Sequence, residues 1–181
     1  ASIISEGVRL HASIFLPRDA GSKKLPTVIM SHGWGGTAAM LSTQASDIAK
    51  AGYLVIVFDY RGWGESDSRL IAHVDKASGK ADRSELLEVK EVVDPMEQAT
   101  DMFNVIHWAM GDARVDHERI GLWGTSFSGG LVVYVAARDP RIRALVSQVG
   151  YMGQTVEAMS EMTRNKIYDD ATKRARGEIG Y

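Results

Sequence analysis

One stretch places a hydroxyl where it could be made to react. Arg119 to Gly130, RIGLWGTSFSGG, reads as a short apolar strand, a tight turn and the first turn of a helix, with Ser126 at the turn. Gly124 and Ser128, two residues before and two after, are small enough to let the backbone turn sharply and lift the hydroxyl above the sheet edge. Ser128 stands where the usual pattern has glycine. A serine hydroxyl is a weak nucleophile. It needs a base beside it, and N–H donors aimed at the oxyanion that forms on the attacked carbonyl. The backbone N–H of Phe127 is placed for the second task. The chemistry would be acyl transfer through a covalent intermediate. An inert glycine- and serine-rich turn is the plain alternative, but it does not explain why a strand and a buried helix lie on the correct sides.

A second stretch, Ser31-His32-Gly33-Trp34-Gly35-Gly36, follows the apolar run Thr27 to Met30. Extended to Gly33-Trp34-Gly35-Gly36-Thr37-Ala38 it fits the glycine fingerprint of dinucleotide-binding domains, and Asp59 follows about twenty residues on, where such domains carry an acid. A Rossmann-type reading using Gly33 to Ala38 and Asp59 is therefore the competing function. It leaves the turn at Ser126 unexplained, and it does not account for Arg61-Gly62-Trp63-Gly64 directly after Asp59.

These residues need a sheet to hold them. Val8 to Leu16 alternates apolar and polar, as a half-buried strand does, and Ile3 and Ile4 suggest a short strand before it. Thr27 to Met30 and Tyr53 to Phe58 are apolar without alternation, as strands buried on both faces are. Between them a helix is expected, with Thr37 as N-cap, Leu41, Ala45 and Ile48 inward and Gly52 at its end. Strand, helix, strand at that spacing implies a right-handed parallel crossover. Tyr60 to Val93 is long for a connection and suggests an insertion at about 66–93, with a short helix over Glu85 to Glu91. Asp94, Pro95 and Glu97 mark the start of the next helix, a capping box with proline at the first helical position; Met96, Ala99, Phe103, Ile106 and Met110 make its apolar face and Gly111 closes it. Ile142 to Val149 reads as another buried strand. Residues 155–176 read as an amphipathic helix, on which Met159 and Met162 are candidates for an apolar acyl pocket.

Composition excludes more than it selects. The 181 residues are 45% hydrophobic and 24% charged with a net charge of −2, an ordinary globular balance with no basic surface for nucleic acid or an anionic membrane. No apolar run reaches the length of a membrane span. There is no cysteine, so thiolate metal sites and disulfides are excluded. No metal or organic cofactor is indicated, and a cytoplasmic location is the expectation.

Together the motifs resemble the α/β-hydrolases, in particular the dienelactone-hydrolase-like and acyl-peptidase-like serine esterases. The resemblance rests on Ser31 to Gly36, on Asp59-Tyr60-Arg61-Gly62-Trp63-Gly64-Glu65-Ser66, and on Gly124-Thr125-Ser126-Phe127-Ser128-Gly129, in the family's order, and covers about Gly7 to Gly150. It implies a mostly parallel sheet with helices on both faces, a core over 1–150 and the start of a cap over 151–181. It also implies roles: Ser126 as nucleophile, the backbone N–H groups of Trp34 and Phe127 as oxyanion hole, and His32, Gly33, Gly124 and Ser128 as residues that shape the site. In this family the acid and the histidine follow the serine. All five histidines here, His11, His32, His73, His107 and His117, precede it. The expectation is therefore an N-terminal portion of a hydrolase, cut after the sixth strand, whose triad acid and histidine lie beyond residue 181 or on another chain. A second chain or a homo-oligomer would complete the sheet; a non-catalytic hydrolase-like fragment is the remaining alternative. The substrate implied is a small ester.

Overall fold

Leu54–Phe58, five consecutive buried apolar residues, forms a strand covered on both sides, and the computed structural model is organised around it. The structure describes residues 1–74, 78–153 and 158–178. We label the strands β1 (Ser2–Ser5), β2 (Val8–Phe15), β3 (Leu25–Ser31), β4 (Leu54–Phe58), β5 (Arg69–Val74), β6 (Ala81–Val89), β7 (Val115–Thr125) and β8 (Ile142–Gln148), and the helices α1 (Ser42–Lys50), α2 (Pro95–Gly111), α3 (Phe127–Ala136) and α4 (Glu161–Ala175). Six strands form one sheet in the order β1-β2-β4-β3-β7-β8, while β5 and β6 make a separate antiparallel ribbon. β4, β3, β7 and β8 are parallel; β1 and β2 run antiparallel at one edge.

Alternation along β4 explains the two layers of helices. Val55 and Val57 point to one face, where they pack with Met30 and with Ala45 and Ala49 of α1. Leu54, Ile56 and Phe58 point to the other, into a larger core with Met102 and Ile106 of α2 and Leu131, Val132 and Val135 of α3. The expected α/β architecture, with helices on both faces, is the one observed. α2 begins as expected, the Asp94 carboxylate accepting from Met96 N at 2.9 Å and Glu97 N at 3.2 Å.

Four expectations are corrected. Thr37 does not cap a long helix: a 3-10 turn over Ala38–Leu41 comes first, Thr37 makes no side-chain cap bond, and α1 starts at Ser42. Glu85 to Glu91 is not helical, since residues 81–89 pair with β5. β8 is not buried, because it lies at the sheet edge and most of its residues are exposed. The last helix is shorter than expected and buries nothing; residues 155–157, within the span assigned to it, lie outside the described residues. No helix among the described residues is long and apolar enough to cross a membrane.

Candidate active site

β3, β4 and β7 are parallel, so their C-terminal ends open on one edge of the sheet, where α/β proteins put their ligands. Ser31, at the end of β3, is in register with Gly124 of β7. The glycine loop after β3 and the turn after β7 are therefore neighbours. Ser126 alone separates β7 from α3, and its backbone takes φ 53°, ψ −118°, a region that non-glycine residues avoid. The surroundings hold it there: Ser126 N donates to Gln148 O at 2.9 Å, and Ser126 O accepts from Gly129 N at 3.0 Å and Tyr151 N at 2.9 Å.

Glycines make the turn sterically feasible. A Cβ on Gly124 would lie 2.3 Å from the carbonyl oxygen of Ser128, and one on Gly130 would lie 2.0 Å from that of Tyr151. A Cβ on Gly33 would meet Ser126 Cβ at 3.0 Å, so the glycine loop packs directly on the serine. Ser126, Phe127 and Trp34 then line one cleft of about 450 Å³ with Val93 and Tyr151. Phe127 is the first residue of α3, so its N–H has no partner within the helix. The structure thus brings Ser126, Trp34 and Phe127 together. Trp34 leaves its indole largely exposed, at 74%.

His32 is buried behind that loop. Its Nδ1 donates to Gly33 O at 2.9 Å, its ring meets Tyr60 edge to face at 5.0 Å, and its Nε2 has no hydrogen-bond partner and lies 3.9 Å from Asp59 Oδ1. Burial is the largest influence on its pKa and lowers it, against the Gly33 carbonyl and Asp59, which favour the cation. The ring is accordingly neutral near pH 7, with its proton on Nδ1. Gly33 O also accepts from Gly36 N at 3.1 Å. Gly33 C=O and Trp34 N–H are the two ends of one planar peptide unit, so holding the carbonyl aims the N–H the opposite way.

The nucleotide-binding reading fails at Asp59. Its carboxylate is turned inward, 3% exposed, with one oxygen accepting from Ala38 N at 2.6 Å and the other from Glu65 N at 3.2 Å, and a Cβ on Gly64 would overlap it. Buried in this way it is out of reach of a ribose, and the glycine loop opens on a 3-10 turn rather than on a helix N-terminus. The acyl-pocket candidates Met159 and Met162 do not line the cleft; Met162 is 83% exposed on α4.

None of the five histidines is placed as a base for Ser126. His32 is committed as above. His11 lies 3.4 Å from Glu65, His73 3.6 Å from Glu85 on the β5–β6 ribbon, and His107 3.1 Å from an Arg141 nitrogen. His117 sits near the start of β7, at the end of the strand opposite Ser126. Two interactions were missed in the sequence: the buried pair of Arg61 with Asp101, and the bonds of Ser128. Both join residues far apart along the chain. Only the oddity of a serine in a glycine position signalled the second.

Sheet order, crossover helices and the turn at the end of β7 define an α/β-hydrolase. Residues 6–168 match the X-Pro dipeptidyl-peptidase (S15) family, and the chain belongs to it. It is 34% identical to an uncharacterised 31.7 kDa protein of the traX-finO intergenic region of Escherichia coli, over 90% of this chain and 49% of that protein. It is 31% identical to the quorum-quenching protein AidA of Acinetobacter baumannii, over 94% of this chain and 51% of that one. The crystal structure of the α/β-hydrolase GrgF from Penicillium superposes with a TM-score of 0.73 at 23% identity, covering 97% of this chain and 53% of the other. The chain thus spans about half the length of these relatives.

Proposed function

We propose that the protein is a serine hydrolase that cleaves carboxylic esters through an acyl-enzyme on Ser126. The observation that carries this reading is the strained backbone of Ser126, alone between β7 and α3, in a cleft it shares with Trp34 and Phe127. Strain of this kind persists where the surrounding structure enforces it, and here it presents a hydroxyl at the sheet edge. In the first step Ser126 Oγ adds to the ester carbonyl as its proton passes to a base. The N–H groups of Trp34 and Phe127 stabilise the oxyanion, each worth on the order of 3 kcal/mol in such sites. The intermediate collapses, the C–O bond breaks, and the alcohol leaves with the proton from the base. Water then repeats the sequence on the acyl-enzyme and releases the acid.

Since no histidine of this chain faces Ser126, the mechanism takes its base and acid from outside these 181 residues, on the same polypeptide or a second one. Amide and lactone cleavage would use the same groups, and the family's peptidase members make an X-Pro amide the natural competitor substrate. The test is covalent labelling with a fluorophosphonate of the protein together with the segment or chain that supplies the base, followed by intact mass. The wild type is expected to gain one adduct and Ser126→Ala none, and a p-nitrophenyl ester is expected to be turned over faster than an X-Pro anilide. An unlabelled wild type overturns the assignment of Ser126.

A further inference from the structure

The nucleophile turn and the glycine loop belong to different strands, so something must fix one against the other if two N–H groups are to meet a single oxygen. Ser128 provides that link. Its side chain is fully buried and its hydroxyl donates to the carbonyl of His32. A hydroxyl has one proton to give. With that proton committed, the Tyr60 hydroxyl 2.8 Å away is the donor and Ser128 Oγ the acceptor. Tyr60 is itself fully buried, and burial raises its pKa, so it remains a donor throughout the ordinary pH range.

The chain of hydroxyls therefore runs from the segment after β4, through the second residue of α3, to the loop after β3. His32 C=O belongs to the peptide unit directly before the Gly33–Trp34 unit, which His32 Nδ1 and Gly36 N already hold by its oxygen. Two successive peptide planes leading to Trp34 N–H are thus fixed from three directions, and one of the three comes from the helix that carries Phe127 N–H. Glycine at position 128 could not do this. We infer that Ser128, backed by Tyr60, is a positioning residue that locks the oxyanion-binding loop to the nucleophile helix, an inference that rests on Ser126 being the nucleophile.

The experiment compares wild type, Ser128→Ala, Ser128→Gly and Tyr60→Phe as intact proteins on one p-nitrophenyl ester, well below their melting temperatures. Removing the Ser128 hydroxyl is expected to lower kcat on the order of tenfold to a hundredfold with KM held within about twofold, as for a misplacement of the reacting groups by about an ångström. Affinity for phenylboronic acid, whose tetrahedral adduct on Ser126 uses the same N–H donors, is expected to fall by the same factor. A merely structural hydroxyl would lower the melting temperature and move neither. Unchanged kcat and boronate affinity in the Ser128 variants overturn the inference while Ser126 keeps its role. A wild type that fluorophosphonate does not label overturns both. Should the Ser128 variants fail to fold, Tyr60→Phe reads the same link from its other end: a smaller fall in kcat at constant KM supports it, and an unchanged kcat overturns it.

Discussion

Gly33 and Gly124 both lie within a methyl group of the turn, yet they should fail differently. A Cβ on Gly124 meets backbone at 2.3 Å, which cannot move without reshaping α3, so Gly124→Ala is expected to cost about 3 kcal/mol or more in urea unfolding. A Cβ on Gly33 meets Ser126 Cβ at 3.0 Å and Thr125 O at 3.1 Å, contacts that a shift of a few tenths of an ångström at the turn relieves. Gly33→Ala should therefore keep most of its stability and lose kcat by about tenfold or more in ester hydrolysis. His32 makes a prediction in pH. Its folded pKa is below the unfolded value, so as pH falls below about 6.5 the unfolded chain binds a proton that the folded one refuses, and stability drops by at most about 1.4 kcal/mol per pH unit. Urea midpoints between pH 7.5 and 5 should show this decline, and His32→Gln should flatten it. Ser126, Gly124 and Phe127 were legible because an abrupt turn imposes its demands on neighbours in sequence. Ser128 could be read only as a tolerated stand-in for glycine, because its partners, Tyr60 and His32, are 68 and 96 residues away.

At the scale of elements, α2 shows what local chemistry declares and what it hides. Its start is written in Asp94, Pro95 and Glu97, and Asp94→Ala should cost about 1 kcal/mol in the same unfolding assay. Its tie to the sheet is not written locally. Asp101, fully buried on α2, takes Arg61 Nε at 2.9 Å, an Arg61 terminal nitrogen at 2.7 Å and Arg61 N at 3.0 Å, fastening the segment after β4 to the helix. Asp101→Ala leaves that guanidinium without its principal counter-ion in a buried site and is expected to cost about 3–5 kcal/mol, well above the loss of the cap. Residues 81–89 mark the opposite case. Their Ser-Glu-Leu-Leu-Glu core suits a helix by composition, but pairing with Arg69–Val74 makes them a strand, and pairing is a tertiary fact. The alternation of Val8–Phe15 and the unbroken apolar run of Leu54–Phe58 were legible because burial on one face or on two is recorded in the residues themselves.

For the whole molecule, the sheet is finished unequally at its two sides. β1 ends one side as a four-residue strand with Ile3 and Ser5 buried, whereas β8 is seven residues long, bonds only to β7 among the described residues and leaves Leu145 and Val146 43% and 50% exposed. An apolar strand with an open row of backbone donors and acceptors is a template for pairing with another strand. Composition could not reveal this, since the same apolar run reads as interior until its place in the sheet order is known. Produced as the 181 residues alone, the chain is expected to associate through β8. Val146 pairs with Trp123, which packs in the α1-side cluster, so its side chain lies on the face away from α3, where a lysine can reach solvent. Val146→Lys should shift the size-exclusion profile toward monomer and change unfolding stability by no more than about 0.5 kcal/mol. An unchanged profile would place the self-contact elsewhere on the molecule. A monomeric profile for the unmodified chain would show that this edge, exposed as it is, does not pair by itself.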